Sequence, residues 1–251
     1  MKKLLIFLLA TLALSACEQP VVDENPSIPM PPNNEIWYTS SDNDVVIPND
    51  ANVFGANIVN NSYIDGKGVM TFDGDVTKIG YQAFLNCDRL TSVTIPDSVT
   101  TIGYQAFTLC TSLTEFKGKF ASEDGRCLII DGVLNSFAPY GLTQYTIPDS
   151  VTEIGEGAFL ACTSLKNVTT PDSVTEIGNN AFYDCTSLTS VYCKATTPPS
   201  LGDSYVFDNN CSGRKIYVPA SSVEAYKSAR RWTEYASAIV GYDFENGVVV
   251  E

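Results

Sequence analysis

The chain of 251 residues contains no histidine. That absence excludes metal sites built on imidazole and every Ser-His or Cys-His nucleophile arrangement. Basic residues are also scarce: 15 Lys and Arg stand against 29 Asp and Glu. A chain with that balance repels phosphate backbones, so nucleic acid is not an expected partner. A long hydrophobic run is missing too. The apolar stretch Leu4–Leu14 is too short to span a bilayer, which takes about 20 residues.

That short stretch follows Met1-Lys2-Lys3 and ends in Leu14-Ser15-Ala16-Cys17, the build of a secretory signal. The ending resembles the bacterial lipoprotein lipobox. The resemblance makes residues 1–16 a signal peptide and Cys17 the lipidated N-terminus, whose sulfur is the nucleophile that thioether formation needs. An ordinary cut nearby, with Cys17 incidental, is the plainer alternative. Without residues 1–16 the chain keeps 13 basic and 29 acidic residues, a net charge of −16. Residues 17–35 hold five prolines and few apolar anchors, a tether that at about 3.1 Å per residue reaches roughly 55 Å.

The body of the chain repeats itself. Val-Thr-x-Ile-Gly-x-x-Ala-Phe-x-x-Cys-x-x-Leu occurs from Val76, Val99, Val151 and Val174, with a 23-residue period inside each pair. Such a period marks a solenoid whose units bury their apolar side only by stacking. In each unit Leu-x-x-Val-x-Ile-Pro reads as a strand that proline ends. The glycines at 80, 103, 155 and 178 mark tight turns with expected positive φ. Ala-Phe-x-x-Cys returns on a helical turn with Phe at the coil centre. Cys87, Cys110, Cys162 and Cys185 share one slot of a structural ladder, as free thiols whose side chains run parallel. A bridge among Cys127, Cys193 and Cys211 stays open.

One coil departs from the period. Leu113 and Leu142 are 29 residues apart, and between them two β-type runs flank Asp131-Gly132, a hairpin signal. The expected organisation is an N-terminal β cap over 36–66, with β-type segments at Val45–Pro48 and Val53-Phe54. A solenoid over 67–219 follows, with a hairpin insertion at about 118–141, then a helical cap and tail over 220–251. Met70–Phe72 is expected beside Val93–Ile95, Ile216–Val218 at the far end, and seven stacked strands in all. Ser221–Arg230 reads as a short helix, with Trp232, Tyr235 and Ile239 sealing the last coil. The fold class is mostly β with short helical turns, a leucine-rich-repeat solenoid.

These residues resemble the BspA-like leucine-rich-repeat family of bacterial surface proteins. The resemblance covers about residues 60–241 and includes the closing Ile-Tyr-Val-Pro-Ala-x-x-Val-x-x-Tyr. Departures are Thr170 and Cys193 at inward Ile positions, and a Phe207…Cys211 spacing one residue longer. The family implies a curved solenoid with roles in adhesion or partner binding. With the lipobox, it implies a surface lipoprotein of a Bacteroides-type bacterium, held at the outer membrane through Cys17. Glu18, Asp23 and Glu24 are similar to surface-export signals; the periplasmic leaflet is the alternative.

Two outward columns form the candidate surface: Ser92, Glu115, Gln144, Asn167, Ser190 and Lys215, beside Thr94, Lys117, Thr146, Thr169, Tyr192 and Tyr217. Tyr192 and Tyr217, flanked by Lys194 and Lys215, could stack on a sugar or anchor a protein loop; a cross-strand pair that merely steadies the coils is the alternative. Tyr81 and Tyr104 follow turn glycines, where local packing outweighs ligand contact. Asp42-Asn43-Asp44 and Asp73-Gly74-Asp75 lack the spacing of a calcium loop, and paired carboxylates for glycoside hydrolysis would need a cleft. No cofactor, metal or catalytic residue is expected. The reading is a monomeric, non-enzymatic surface lipoprotein that binds a protein or glycan; an envelope assembly component and an accessory glycan-capture protein are the rivals.

Overall fold

The computed structural model describes residues 29–203 and 205–250. The signal segment, Cys17 and most of the tether lie outside the described residues. The chain forms a mostly β solenoid of about seven turns. At its N-terminal end stand β1 (Glu35–Ser40), β2 (Ile58–Ile64) and β3 (Lys67–Phe72). The repeats then alternate long strands with two-residue ones: β4 (Lys78–Ile79), β5 (Leu90–Thr94), β6 (Thr101–Ile102) and β7 (Glu115–Lys117). The hairpin coil supplies β8 (Cys127–Ile130) and β9 (Val133–Phe137). Beyond it run β10 (Gln144–Thr146), β11 (Glu153–Ile154), β12 (Asn167–Thr170), β13 (Glu176–Ile177), β14 (Ser190–Cys193), β15 (Ser200–Leu201) and β16 (Lys215–Pro219). The short helix α1 (Val223–Ser228) and a 3-10 turn at Trp232–Ala238 lead into β17 (Ile239–Asp243) and β18 (Val248–Val250).

The long strands form two sheets rather than one ribbon. The first has the order β2-β3-β1-β5-β7, the second β10-β12-β14-β16-β17-β18. The core divides in the same way, into one cluster around Phe54, Phe84 and Phe107 and another around Phe159, Phe182 and Phe207. The hairpin joins the halves, because Leu128 and Ala138 pack in the first cluster while Cys127, Leu134 and Phe137 pack in the second. Its turn, Asp131 at φ 50° and Gly132 at φ 83°, carries the two positive angles of the favoured two-residue hairpin. Asp65-Gly66 makes the same turn between β2 and β3.

Three expectations are corrected at the N-terminal end and in the turns. Met70–Phe72 does not lie beside Val93–Ile95: β1 intervenes, antiparallel to both β3 and β5, with Tyr38 opposite Gly68 on one side and Val93 on the other. Val45–Pro48 and Val53-Phe54 are irregular, although Val46 and Phe54 are buried anchors. The repeat glycines 80, 103, 155 and 178 are absent from the positive-φ set. Glycine is needed there because consecutive coils touch: a Cβ on Gly103 would sit 2.4 Å from Tyr81 N. The C-terminal cap also holds more than helix, since β17 extends the second sheet in parallel with β16.

The return segments are chains of tight turns. Ala158 N–H donates back to Gly155 O (3.2 Å), and the next residue, Phe159, donates to Ala181 O (2.9 Å) of the following coil. One coil advances by about one strand spacing, near 4.8 Å, which is also a ring-stacking distance. Hence Phe159 and Phe182 stack at 4.9 Å and Phe182 and Phe207 at 5.4 Å. The residue before each ladder position is left-handed: Asn86 (φ 61°), Leu109 (61°), Ala161 (58°), Asp184 (60°) and Asn209 (56°). Asn and Asp suit that conformation, and leucine strains in it by about 1–2 kcal/mol. Leu109→Asn is therefore expected to raise stability by about 1 kcal/mol, read as a melting temperature up by about 2–4 °C; an unchanged or lower value contradicts the assignment.

The ladder slot has a hydrogen-bonding role. Cys110 Sγ donates to Phe84 O (3.1 Å), Cys185 Sγ to Phe159 O (3.0 Å) and Cys87 Sγ to Ile47 O (3.3 Å). Each thiol reaches a carbonyl of the segment before it; Phe84 O and Phe159 O also accept the main-chain N–H of Cys87 and Cys162, so there the thiol is a second donor tying one coil to the last. In the last coil Asn210, not Cys211, takes the slot, and its Nδ2 donates to Phe182 O (2.7 Å). The shift explains the longer Phe207…Cys211 spacing. All seven cysteines of the described residues are free, and only Cys211 is not buried. Burial pushes Cys87 up to about 11 and Cys127 and Cys193 up to about 12. The adjoining Cys185 thiol, then burial, raises Cys162. A thiol reagent at pH 8 is expected to label Cys211 quickly and the buried thiols only on unfolding. Fast labelling of a second one of the seven would break this picture.

Candidate functional site

The outward columns form in the expected register within each sheet. Ser92 pairs with Glu115, and Gln144, Asn167, Ser190 and Lys215 follow one another across β10, β12, β14 and β16. The columns break between β7 and β10, where the sheets part. On the first sheet β1 occupies the outward side chains. Ser92 and Thr94 are buried, Thr39 hydroxyl bonds Thr91 (2.6 Å) and Ser92 (2.7 Å), and Lys117 pairs with Glu115 at 2.8 Å. On the second sheet the side chains of Gln144, Thr146, Asn167 and Thr169 make no such bonds among the described residues.

Tyr192 and Tyr217, half-buried, stack at 4.7 Å with an interplanar angle of 16°. β17 adds Tyr242, whose ring meets Tyr192 edge-on at 5.3 Å and Tyr217, tilted, at 5.4 Å. Phe244 meets Tyr242 at 5.0 Å. The pair expected from the repeat is thus the edge of a four-ring cluster. Lys194 and Lys215 are both exposed, and neither joins the ion pairs found among the described residues. Lys194 lines an open groove of about 790 Å³ with Asp149, Asp172, Tyr242, Asp243 and Phe244. A second groove of about 510 Å³ opens against Tyr192 on its other side. Tyr242 and Phe244 escaped sequence reasoning. The alternation Ile239-Val-Gly-Tyr-Asp, which mirrors Ile216–Val218, was the available signal.

The other candidates lie apart from this cluster. Tyr81 and Tyr104 are exposed and make no ring contact with each other. Beside them an amide ladder crosses the junction of the two halves: Gln82 Nε2 donates to Gln105 Oε1 (3.0 Å) and Gln105 Nε2 to Glu156 Oε1 (3.2 Å). Asp42 pairs with Arg89, whose guanidinium holds the carboxyl below its usual range. Asp73 accepts the Asn57 side-chain and main-chain N–H groups, both at 2.8 Å, which lowers it too. Among the described residues no cluster of three His, Cys, Asp or Glu could hold a metal.

The decisive comparison is with protein families: the BspA type leucine-rich repeat region matches in six copies, over residues 33–122 and 134–232. The chain belongs to the BspA-type leucine-rich-repeat family. The unmatched interval falls on the first strand and turn of the hairpin coil, where the repeat text is replaced. No curated protein matches. Among solved structures, a leucine-rich cell surface protein from Faecalibacterium prausnitzii is 23% identical over 66% of this chain and 50% of its own, with a TM-score of 0.40. A leucine-rich repeat protein from Eubacterium ventriosum is 23% identical over 59% and 48%, with a TM-score of 0.40. One from T. pallidum is 27% identical over 66% and 78%, with a TM-score of 0.36. The chain thus spans about half the length of the first two. BspA-type repeats typically act without catalysis. No helix among the described residues is long and apolar enough to cross a membrane.

Proposed function

We propose that the chain is a non-enzymatic outer-membrane lipoprotein, anchored through Cys17 and displayed at the cell surface, whose second sheet binds a protein or glycan partner in adhesion. The observation that carries this reading is the cluster of Tyr192, Tyr217, Tyr242 and Phe244 beside exposed Lys194 and Lys215. The fold does not require aromatic side chains there. In the same column β10 and β12 carry Thr146 and Thr169 and stack equally well. Half-exposed aromatic rings supply contact area at little entropic cost, the usual makeup of a binding hot spot.

The test is a pull-down from host matrix and bacterial glycans with the lipid-free mature chain. Tyr192→Ala combined with Tyr217→Ala is expected to weaken capture at least tenfold while leaving the fold intact by circular dichroism. Capture that survives the double change defeats the proposal. Unaltered co-purification with envelope proteins would favour the assembly reading instead.

A further inference from the structure

We propose that the groove between Asp124 and Tyr192 is a binding site for a neutral sugar ring. The inference rests on the reading of the second sheet as the binding face and deepens it. The outward column over β10, β12, β14 and β16 runs Thr146, Thr169, Tyr192, Tyr217, two small side chains and then two large ones. Parallel strands lie about 4.8 Å apart, so the two threonine strands leave a floor about 10 Å wide. Tyr192 rises at one side of it. Tyr217 covers one face of that ring at 4.7 Å, and the ring lines the groove. Asp124 stands in the lining as well, with Gln144, Thr146, Asn167 and Thr169. The volume, about 510 Å³, is that of a small-ligand site.

The polar groups of this groove are uncommitted. The side chains of Gln144, Thr146, Asn167 and Thr169 make no hydrogen bond within the described residues. At the matching positions of the first sheet Ser92 bonds Thr39 and Lys117 pairs with Glu115. Asp124 is fixed from one side only. Ser122 hydroxyl (2.6 Å), Arg126 N–H (3.0 Å) and Tyr145 hydroxyl (3.4 Å) all donate to its Oδ1, and Oδ2 is left open. Burial pushes this carboxyl up, but the three donors outweigh it and hold the group below its usual range, hence ionised.

That set of groups matches one ligand chemistry. An aromatic face takes the C–H side of a pyranose. Amides and a carboxylate oxygen take its hydroxyls, and a bond to the ionised oxygen is the strong one. No lysine or arginine lines the groove; Arg126 turns its guanidinium to Ala138 O and Tyr140 O. A sialylated or sulfated glycan would therefore meet a lone carboxylate and no counter-charge.

The experiment is an array of neutral, sialylated and sulfated oligosaccharides probed with the mature chain, followed by calorimetry with the best-retained neutral oligosaccharide. Neutral glycans should be retained. Asp124→Asn and Tyr192→Ala should each weaken binding at least tenfold, and Thr169→Tyr should abolish it by filling the floor. Asp88→Asn, an exposed change on the other half of the solenoid, should alter it less than twofold. Thr169→Tyr is expected to fold, because the next strand carries tyrosine at that slot. Retention of no glycan, retention of acidic glycans alone, or binding that survives Thr169→Tyr overturns the sugar site. If the array is blank while the Tyr192/Tyr217 double change still abolishes protein capture, the sugar site falls and the binding face stands. If capture is unaffected as well, both fall.

Discussion

Phe159→Ala is expected to lower stability by about 3–5 kcal/mol, the range for emptying a buried aromatic site. Phe159 is fully buried between Phe137 at 4.6 Å and Phe182 at 4.9 Å. Nothing nearby can close the hole. Its own N–H is tied to Ala181 O, and the coils on either side are spaced by main-chain bonds that do not shorten. The position is also where the hairpin coil meets the regular repeats, so the loss loosens the hairpin's hold on the second half of the core. Phe159→Leu, which keeps most of the volume, should cost less than about 1.5 kcal/mol. Urea unfolding at constant m-value reads both numbers. A Phe159→Ala cost under that of the leucine variant would mean the ring column is not what holds the coils.

Gly103→Ala is expected to cost roughly 1–3 kcal/mol or more through overpacking alone. The added Cβ would lie 2.4 Å from Tyr81 N and 2.6 Å from Gly80 C, both main-chain atoms of the preceding coil. Neither can swing away as a side chain would. Gly103 N–H meanwhile donates to Ile79 O at 2.7 Å, so moving the coil outward also breaks that bond. Gly178 repeats the geometry, 2.7 Å from Glu156 N. Gly141 provides the contrast. Its φ is +78° and nothing lies within 4 Å, so alanine there meets backbone strain of about 1–2 kcal/mol and no collision. The two substitutions together separate contact from conformation. Equal destabilisation with an unchanged backbone at residue 103 would remove the argument for close approach.

The parts of the fold that could be read from the sequence are the ones written locally and repeatedly. Phe at the coil centre and the thiol slot follow from a 23-residue period, because stacking turns equal spacing into contact. The pairing of Tyr192 with Tyr217, 25 residues apart, follows from the matching strand text Val191-Tyr192 and Ile216-Tyr217. Asp131-Gly132 was legible because few dipeptides accept two positive φ angles. The insertion of β1 between β3 and β5 was not. It depends on an antiparallel pairing of Trp37 with Thr94, far away in sequence and outside the period. β17 escaped for a different reason: it runs parallel to β16 with Ile239 opposite Ile216, one period on, but the stretch before it carries none of the Ala-Phe and Cys text of the repeat. With it went Tyr242, which turns a stacked pair into a cluster. The glycines misled in a different way. Periodicity marks where a side chain is not tolerated without saying whether φ or a neighbouring main chain forbids it. In the groove, Asp124 could not be placed from sequence, since its loop reaches Tyr145 across the coil whose length breaks the repeat.

Antiparallel pairs close both ends of the solenoid, β2 with β3 at one and β17 with β18 at the other. Neither terminus can therefore be lengthened by simply adding a unit. The interior has no such restriction. β10, β12 and β14 meet in the same register, Gln144 to Asn167 to Ser190, so a duplicate of residues 151–173 could be spliced between them and find matching neighbours on both sides. Ancestral size changes and deliberate engineering would thus share one route, a telescoping middle between invariant end pieces, with the span of the exposed face set in increments of a single strand.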